Sequence, residues 1–245
     1  MEKRQHMLLG DEIVTPGGAD WVVNWPPVWS ADGSRMACHL TSRRTSKECV
    51  AVDGGRGEEF DRVGAPALSR DGRHVAYRAH GGERSFVIVD GRRGPEAEFV
   101  SDPAVSADGS IVAYAARRDS RWRLIVGEQE TDLDGPPSRV FLSADGRSVG
   151  WLMKTGSDGS SKVRVVVNGK AGEPFALVGR CVFSPDGRRV TYAADDGAKQ
   201  YVVIGEEKRE VAGRLGDPVF SPDGRKVGYG ARLGRELWWK VLDAP

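Results

Sequence analysis

Six copies of the tetrad Ser-x-Asp-Gly punctuate this chain, at residues 30–33, 69–72, 106–109, 143–146, 184–187 and 221–224. They recur every 37 to 41 residues, a spacing that chance does not produce five times in a row. A repeat of that length is one supersecondary unit, which hides its apolar faces only by stacking on its neighbours. An apolar residue precedes each Ser: Trp29, Leu68, Val105, Leu142, Phe183 and Phe220. Six residues after the Asp stands an aromatic, Tyr77, Tyr114, Trp151, Tyr192 or Tyr229, with Cys38 in the first copy. Two residues earlier lies Val75, Val112, Val149, Val190 or Val227, with Met36 in the first copy. That alternation is the period of a strand.

The tetrad itself reads as a tight turn. Ser and Asp side chains bond nearby backbone N–H groups, and Gly supplies a positive φ. Pro185 and Pro222 pre-set φ in the last two copies. A third strand follows at 49–52, 86–89, 124–126, 163–167 and 201–204, often closed by Asp53-Gly54, Asp90-Gly91 or Asn168-Gly169. A short fourth strand is expected to hold Phe60, Phe99, Leu133, Phe175 or Val211. Four strands per repeat and six repeats predict an all-β fold, a six-bladed β-propeller of four-stranded antiparallel blades. The expected repeats run about 27–64, 65–101, 102–138, 139–180, 181–216 and 217–245 of one domain spanning 1–245. The last repeat is one strand short. Residues 1–26 are the expected closing segment, with Trp21-Val22-Val23 completing the last blade and removing an open edge. Met7–Asp11 is left over, as an extra edge strand or a partner-binding arm.

Residues 182–192 (VFSPDGRRVTY) and 219–229 (VFSPDGRKVGY) resemble the WD40-like PD40 repeat of TolB-type propellers and of prolyl oligopeptidase-like enzymes. The resemblance extends over about residues 27–242. It implies a propeller whose role is most often protein binding.

No catalytic or metal constellation emerges. Gly146-Arg147-Ser148-Val149-Gly150 matches the G-x-S-x-G pattern, yet it covers a hairpin turn where a nucleophile elbow needs strand-turn-helix. Of the histidines, His39 and His80 lie on neighbouring loops, too few ligands for a metal centre. Asp195-Asp196-Gly197 and Ser157-Asp158-Gly159 read as turns, since they lack the oxygens of a calcium loop. Cys38, Cys49 and Cys181 form no C-x-x-C pair and read as small buried hydrophobes, although Cys38 and Cys49 flank one hairpin. No cofactor is expected, and the chain is expected not to be an enzyme. With neither a secretory signal nor a long apolar run, the expected location is cytoplasmic, or periplasmic if a signal was removed.

Charge carries the functional expectation. Thirty-six Lys and Arg oppose 35 Asp and Glu, for a net charge of +1, which argues against a nucleic-acid binder. Arg121-Trp122-Arg123 has the interleaving of a single-strand binder, but Trp122 begins a strand and reads as packing. The loops between second and third strands are collectively basic, and the turns between third and fourth strands are acidic. The expected partner-binding residues are Arg43, Arg44, Lys47, Arg84, Arg117, Arg118, Arg121, Arg232 and Arg235, with Trp25 as an aromatic anchor. Arg forks suit carboxylates, so the expectation is a scaffold or adaptor subunit binding an acidic protein partner. The alternatives are a small-ligand binder or a hydrolase- or lyase-type enzyme at the channel mouth, or a structural subunit held by its edge strands.

Overall fold

The computed structural model describes residues 7–9, 12–14, 20–24, 26–156 and 162–245. Two compact units divide the chain, Met1–Asp134 and Gly135–Pro245. Among the described residues every regular element of three or more residues is a strand, and all pairings are antiparallel. Met7–Leu9 and Glu12–Val14 form a two-stranded ribbon of their own. Six larger sheets follow, three in each unit.

The second sheet shows the plan. Its central strand, Val75–Gly81, follows the tetrad turn and pairs with Arg84–Val89, which pairs in turn with Arg92–Arg93. On its other side the first strand is split into Arg62–Val63 and Ala67–Leu68, both bonded to the central strand. Alternation along the central strand sends Tyr77 and Ala79 to one face. There they meet Ala37 and Val50 of the first sheet, with Phe60, Phe86 and Ile88, in one buried cluster. Its opposite face contributes Val87 to the cluster around Tyr114, Ala116 and Ile125 of the third sheet. In the second unit, Leu152 and Val165 of the fourth sheet pack on Tyr192, Ala194 and Val203 of the fifth. Val202 and Ile204 of the fifth pack on Val227, Tyr229 and Ala231 of the sixth. Tyr77, Tyr114, Tyr192 and Tyr229 are thus the wedges between successive sheets within each unit, each one worth about 2–3 kcal/mol of burial.

All six tetrads adopt one turn. The Ser hydroxyl donates to the Asp carboxylate at 2.5–2.7 Å. That carboxylate accepts the N–H two residues on, at 3.0–3.1 Å. The Ser oxygen accepts the N–H five residues on, at 2.9–3.0 Å. The tetrad glycines hold φ between 69° and 75°. Within the first unit the turns are also linked to each other: Ala31 N–H donates to Arg70 O, and Arg70 N–H to Ala107 O, both at 2.8 Å. The Asp-Gly and Asn-Gly pairs form the expected tight turns, with positive φ at Asp53, Asp90 and Asn168 and at the glycines after them.

Two strand assignments need correction. Trp21–Val23 does not complete the last sheet; it pairs with Met36–Ser42 of the first. With Val28–Trp29 it forms the split first strand that Arg62–Val63 and Ala67–Leu68 form in the second sheet. Phe99 is not on a fourth strand: Phe99–Val100 opens the third sheet by pairing with Val112–Arg118, and Ala97 is the residue that bridges back to Ser85. Phe60, Leu133, Phe175 and Val211 do pair as fourth-strand residues. Among the described residues the sixth sheet carries no fourth strand, and Glu236–Asp243 is its edge.

Candidate partner-binding loops

The hairpins that join second to third strands carry most of the expected binding residues. In the first unit their tips are residues 43–47, 82–83 and 119–120. The third is a two-residue turn in which Asp119 and Ser120 both hold positive φ, 51° and 61°. No glycine eases that geometry. The Glu98 carboxylate does so instead, accepting the Ser120 N–H at 3.0 Å while pairing with Arg117 at 3.2 Å. Asp61 has the same role between the first two hairpins. It accepts the Gly82 N–H at 2.7 Å and the Lys47 ammonium at 2.5 Å. The Lys47 bond, then the Gly82 bond, hold its carboxyl below the ordinary carboxylate range.

These contacts sort the cations. Lys47 is neutralised by Asp61 and Arg117 by Glu98. Arg118 lies 2.7 Å from Glu130, and Arg123 reaches both Glu130 and Asp132. Arg43, Arg44, Arg84 and Arg121 are exposed and have no carboxylate partner among the described residues. Arg232 and Arg235 are exposed on the second unit's last hairpin, where Arg232 Nε donates to Gly234 O at 3.1 Å. Trp25 lies outside the described residues, as does Ser157-Asp158-Gly159. Trp122 is half-buried edge-on to Phe99, ring centres 5.5 Å apart, and therefore packs within its own sheet.

The remaining candidates have structural partners. Ser148 accepts from Asn168 Nδ2 at 3.2 Å. Gly150 of the same motif lies under the Phe141 ring, where a Cβ would come within 2.3 Å of it. His39 is buried with Nε2 3.1 Å from Glu48, and His80 Nδ1 lies 3.0 Å from Ser85 Oγ. Burial pushes His39 below its usual range. Asp196 accepts the N–H groups of Ala198 and Lys199, which hold its carboxyl at about 2 and make its loop a turn. All three cysteines are free and buried, and burial raises the thiols of Cys38 and Cys49 to about 11 and that of Cys181 to about 12.

Two features were not foreseen. A pocket of about 380 Å³ opens between the fourth and fifth sheets, floored by Val165, Phe175, Tyr192 and Val203 and rimmed by Lys170, Glu173, Glu206 and Lys208. At the matching place between the first and second sheets, Arg93 lies 4.3 Å over the Phe86 ring and pairs with Glu58. Here the shorter Lys208 pairs with Glu173 and its ammonium stays 5.5 Å from Tyr201, which leaves space below. The second feature is a row of exposed apolar side chains on Glu236–Asp243.

Solved structures decide the architecture. The β-propeller domain of the trilobed protease from Pyrococcus furiosus superposes with a TM-score of 0.56 at 13% identity, over 90% of this chain and 81% of that one. This chain is a β-propeller. Acylaminoacyl peptidase from Pyrococcus horikoshii matches at a TM-score of 0.54 and 12% identity, over 91% of this chain and 45% of that one. TolB from Acinetobacter baumannii aligns over 91% of this chain and 77% of its own, at 14% identity and a TM-score of 0.45. No protein-family model matches this propeller, and no curated protein sequence does. The β-propeller fold read from the repeats is borne out.

Proposed function

We propose that this propeller is a non-enzymatic scaffold or adaptor that binds an acidic protein segment through the first unit's hairpin tips. The observation that carries this reading is the division of its cations. Among the described residues Arg43, Arg44, Arg84 and Arg121 lack carboxylate partners, while the neighbouring Lys47, Arg117 and Arg118 have them. Unpaired Arg forks on tips fixed by Asp61 and Glu98 need little reorganisation to take a carboxylate. A labelled Asp/Glu-rich peptide read by fluorescence anisotropy tests it. Reversing the four to Glu should weaken binding more than about tenfold at low salt. Reversing Lys170 in the second unit should leave binding unchanged. Equal affinity in the fourfold variant would remove the reading.

The pocket between the fourth and fifth sheets supports a second reading, small-ligand binding. Its apolar floor and charged rim fit an amphipathic molecule. A thermal-shift screen of aromatic and aliphatic carboxylates against the parent and Lys208→Arg proteins separates the two readings.

A further inference from the structure

The last strand, Glu236–Asp243, is bonded on one side to Lys226–Leu233 and has no strand on its other side among the described residues. An edge of eight residues is a template for another strand, and folded proteins usually blunt it. Lys240 sits on one face of this edge, but the other face is not blunted. Leu237 is 80% exposed, Trp239 84% and Val241 64%, all on one face of the strand. Register shows how unusual that is. Trp239 lies opposite Gly230 as Val202 lies opposite Ala193 and Val165 opposite Leu152. Val202 and Val165 are 0% and 3% exposed, each covered by the following sheet of the second unit. Val219, opposite Gly228 on the same face, is also exposed. A contiguous apolar surface beside an open edge marks an interaction site.

We propose that the occupant is a second copy of this chain, joined strand to strand in an antiparallel pair about a two-fold axis at Trp239. The sequence of the strand argues for that partner. Pairing about Trp239 sets Trp239 opposite Trp239, Leu237 opposite Val241 and Trp238 opposite Lys240. It sets Arg235, just before the strand, opposite Asp243 at its end, twice by symmetry. No like charges meet, and the apolar face becomes continuous across the two copies. Sliding the register by one pair exchanges the two Arg235–Asp243 pairs for two Glu236–Lys240 pairs and leaves Asp243 against Leu233 in one direction, and sets Lys240 against Lys240 in the other. A self-complementary strand is what an isologous two-fold interface requires. The contact is independent of the arginine tips, which lie in the other unit.

Sedimentation velocity on the full chain across a concentration series tests the pairing. The expected species is a dimer. Arg235→Asp alone, or Asp243→Arg alone, places like charges in both symmetric contacts and should weaken it about tenfold or more. The double variant R235D/D243R restores both pairs and should restore the dimer. Both residues are exposed, so the recovery itself shows that the single variants failed to pair and not to fold. Trp239→Glu should give monomer with an unchanged circular-dichroism spectrum. A parent protein that stays monomeric at about 100 µM, well above the range of weak interfaces, overturns the proposal. So does a dimer indifferent to the single reversals, or one that the double variant fails to restore.

Discussion

Replacing Ser106 with Ala removes the keystone of one tetrad turn and nothing else. Ser106 is fully buried, its hydroxyl donates to Asp108 at 2.7 Å, and its oxygen accepts the Ile111 N–H at 3.0 Å. Without Oγ the part-buried Ile111 N–H loses its acceptor. Leaving such a donor unpaired costs about 1–3 kcal/mol. With a urea m-value of about 2–3 kcal/mol/M, the midpoint should fall by about 0.3–1.5 M. The same change at Ser221, whose bonds lie at the surface, should cost under about 1 kcal/mol because water replaces the hydroxyl. Asp108 reports on the same event. Its carboxyl is held at about 2, and the Ser106 hydroxyl is the largest cause, ahead of the Ser110 N–H and hydroxyl. Carbon-detected NMR titration should therefore find the Asp108 midpoint moved up toward 3.8 in the variant. A carboxyl whose folded value lies below its unfolded one stabilises fully above about pH 4 and loses that contribution as pH falls toward 2. The variant should therefore lose less stability than the parent over that interval. Equal urea midpoints for Ser106→Ala and parent, or an unmoved Asp108, would refute the keystone argument.

Other consequences are equally direct. Gly150→Ala drives a methyl into the Phe141 ring and should cost about 1–3 kcal/mol in thermal or chemical unfolding. Lys208→Arg should lay a guanidinium over Phe175 and Tyr201, as Arg93 lies over Phe86, and stabilise by about 0.5–1 kcal/mol in the same assays. His39 is held below 6.5 first by burial, against the pull of Glu48. Its NMR titration midpoint should lie below that of a free imidazole, and its contribution to stability should be lost as pH falls through that midpoint. Glu98→Gln should loosen the Asp119–Ser120 turn, seen as faster amide exchange at Ser120.

The parts legible in the sequence are those encoded within a few residues. Ser-x-Asp-Gly closes its hydrogen bonds within five positions, and Asp-Gly and Asn-Gly set their own φ, so the turns and the strands they join were readable. The first strand of each sheet was not. Except in the fourth sheet, where Pro137–Leu142 is continuous, it comes as two stubs such as Arg62–Val63 and Ala67–Leu68, too short for alternation to show. Trp21–Val23 and Phe99 were consequently assigned to the wrong sheets. The charged loops were legible as a class, but not their pairing. Asp61 and Glu98 lie more than ten residues in sequence from the Lys47 and Arg117 they neutralise, and sheet packing brings them together. The exposed face of Glu236–Asp243 reads as an ordinary buried strand, because its apolar pattern matches that of covered strands.

The residue in the second position of each tetrad has a further consequence. In the first unit Ala31 and Arg70 use their N–H groups to reach the next turn, so consecutive turns form one relay of backbone bonds. Proline at that position, as at Pro185 and Pro222, rigidifies its own turn but has no N–H to pass on. Proline thus leaves a turn stiff singly, whereas Ala31 and Arg70 fasten their turns in series. The first arrangement resists local fraying. The second makes neighbouring sheets open together, so that the amides of Ala31 and Arg70 exchange only when a whole sheet boundary yields.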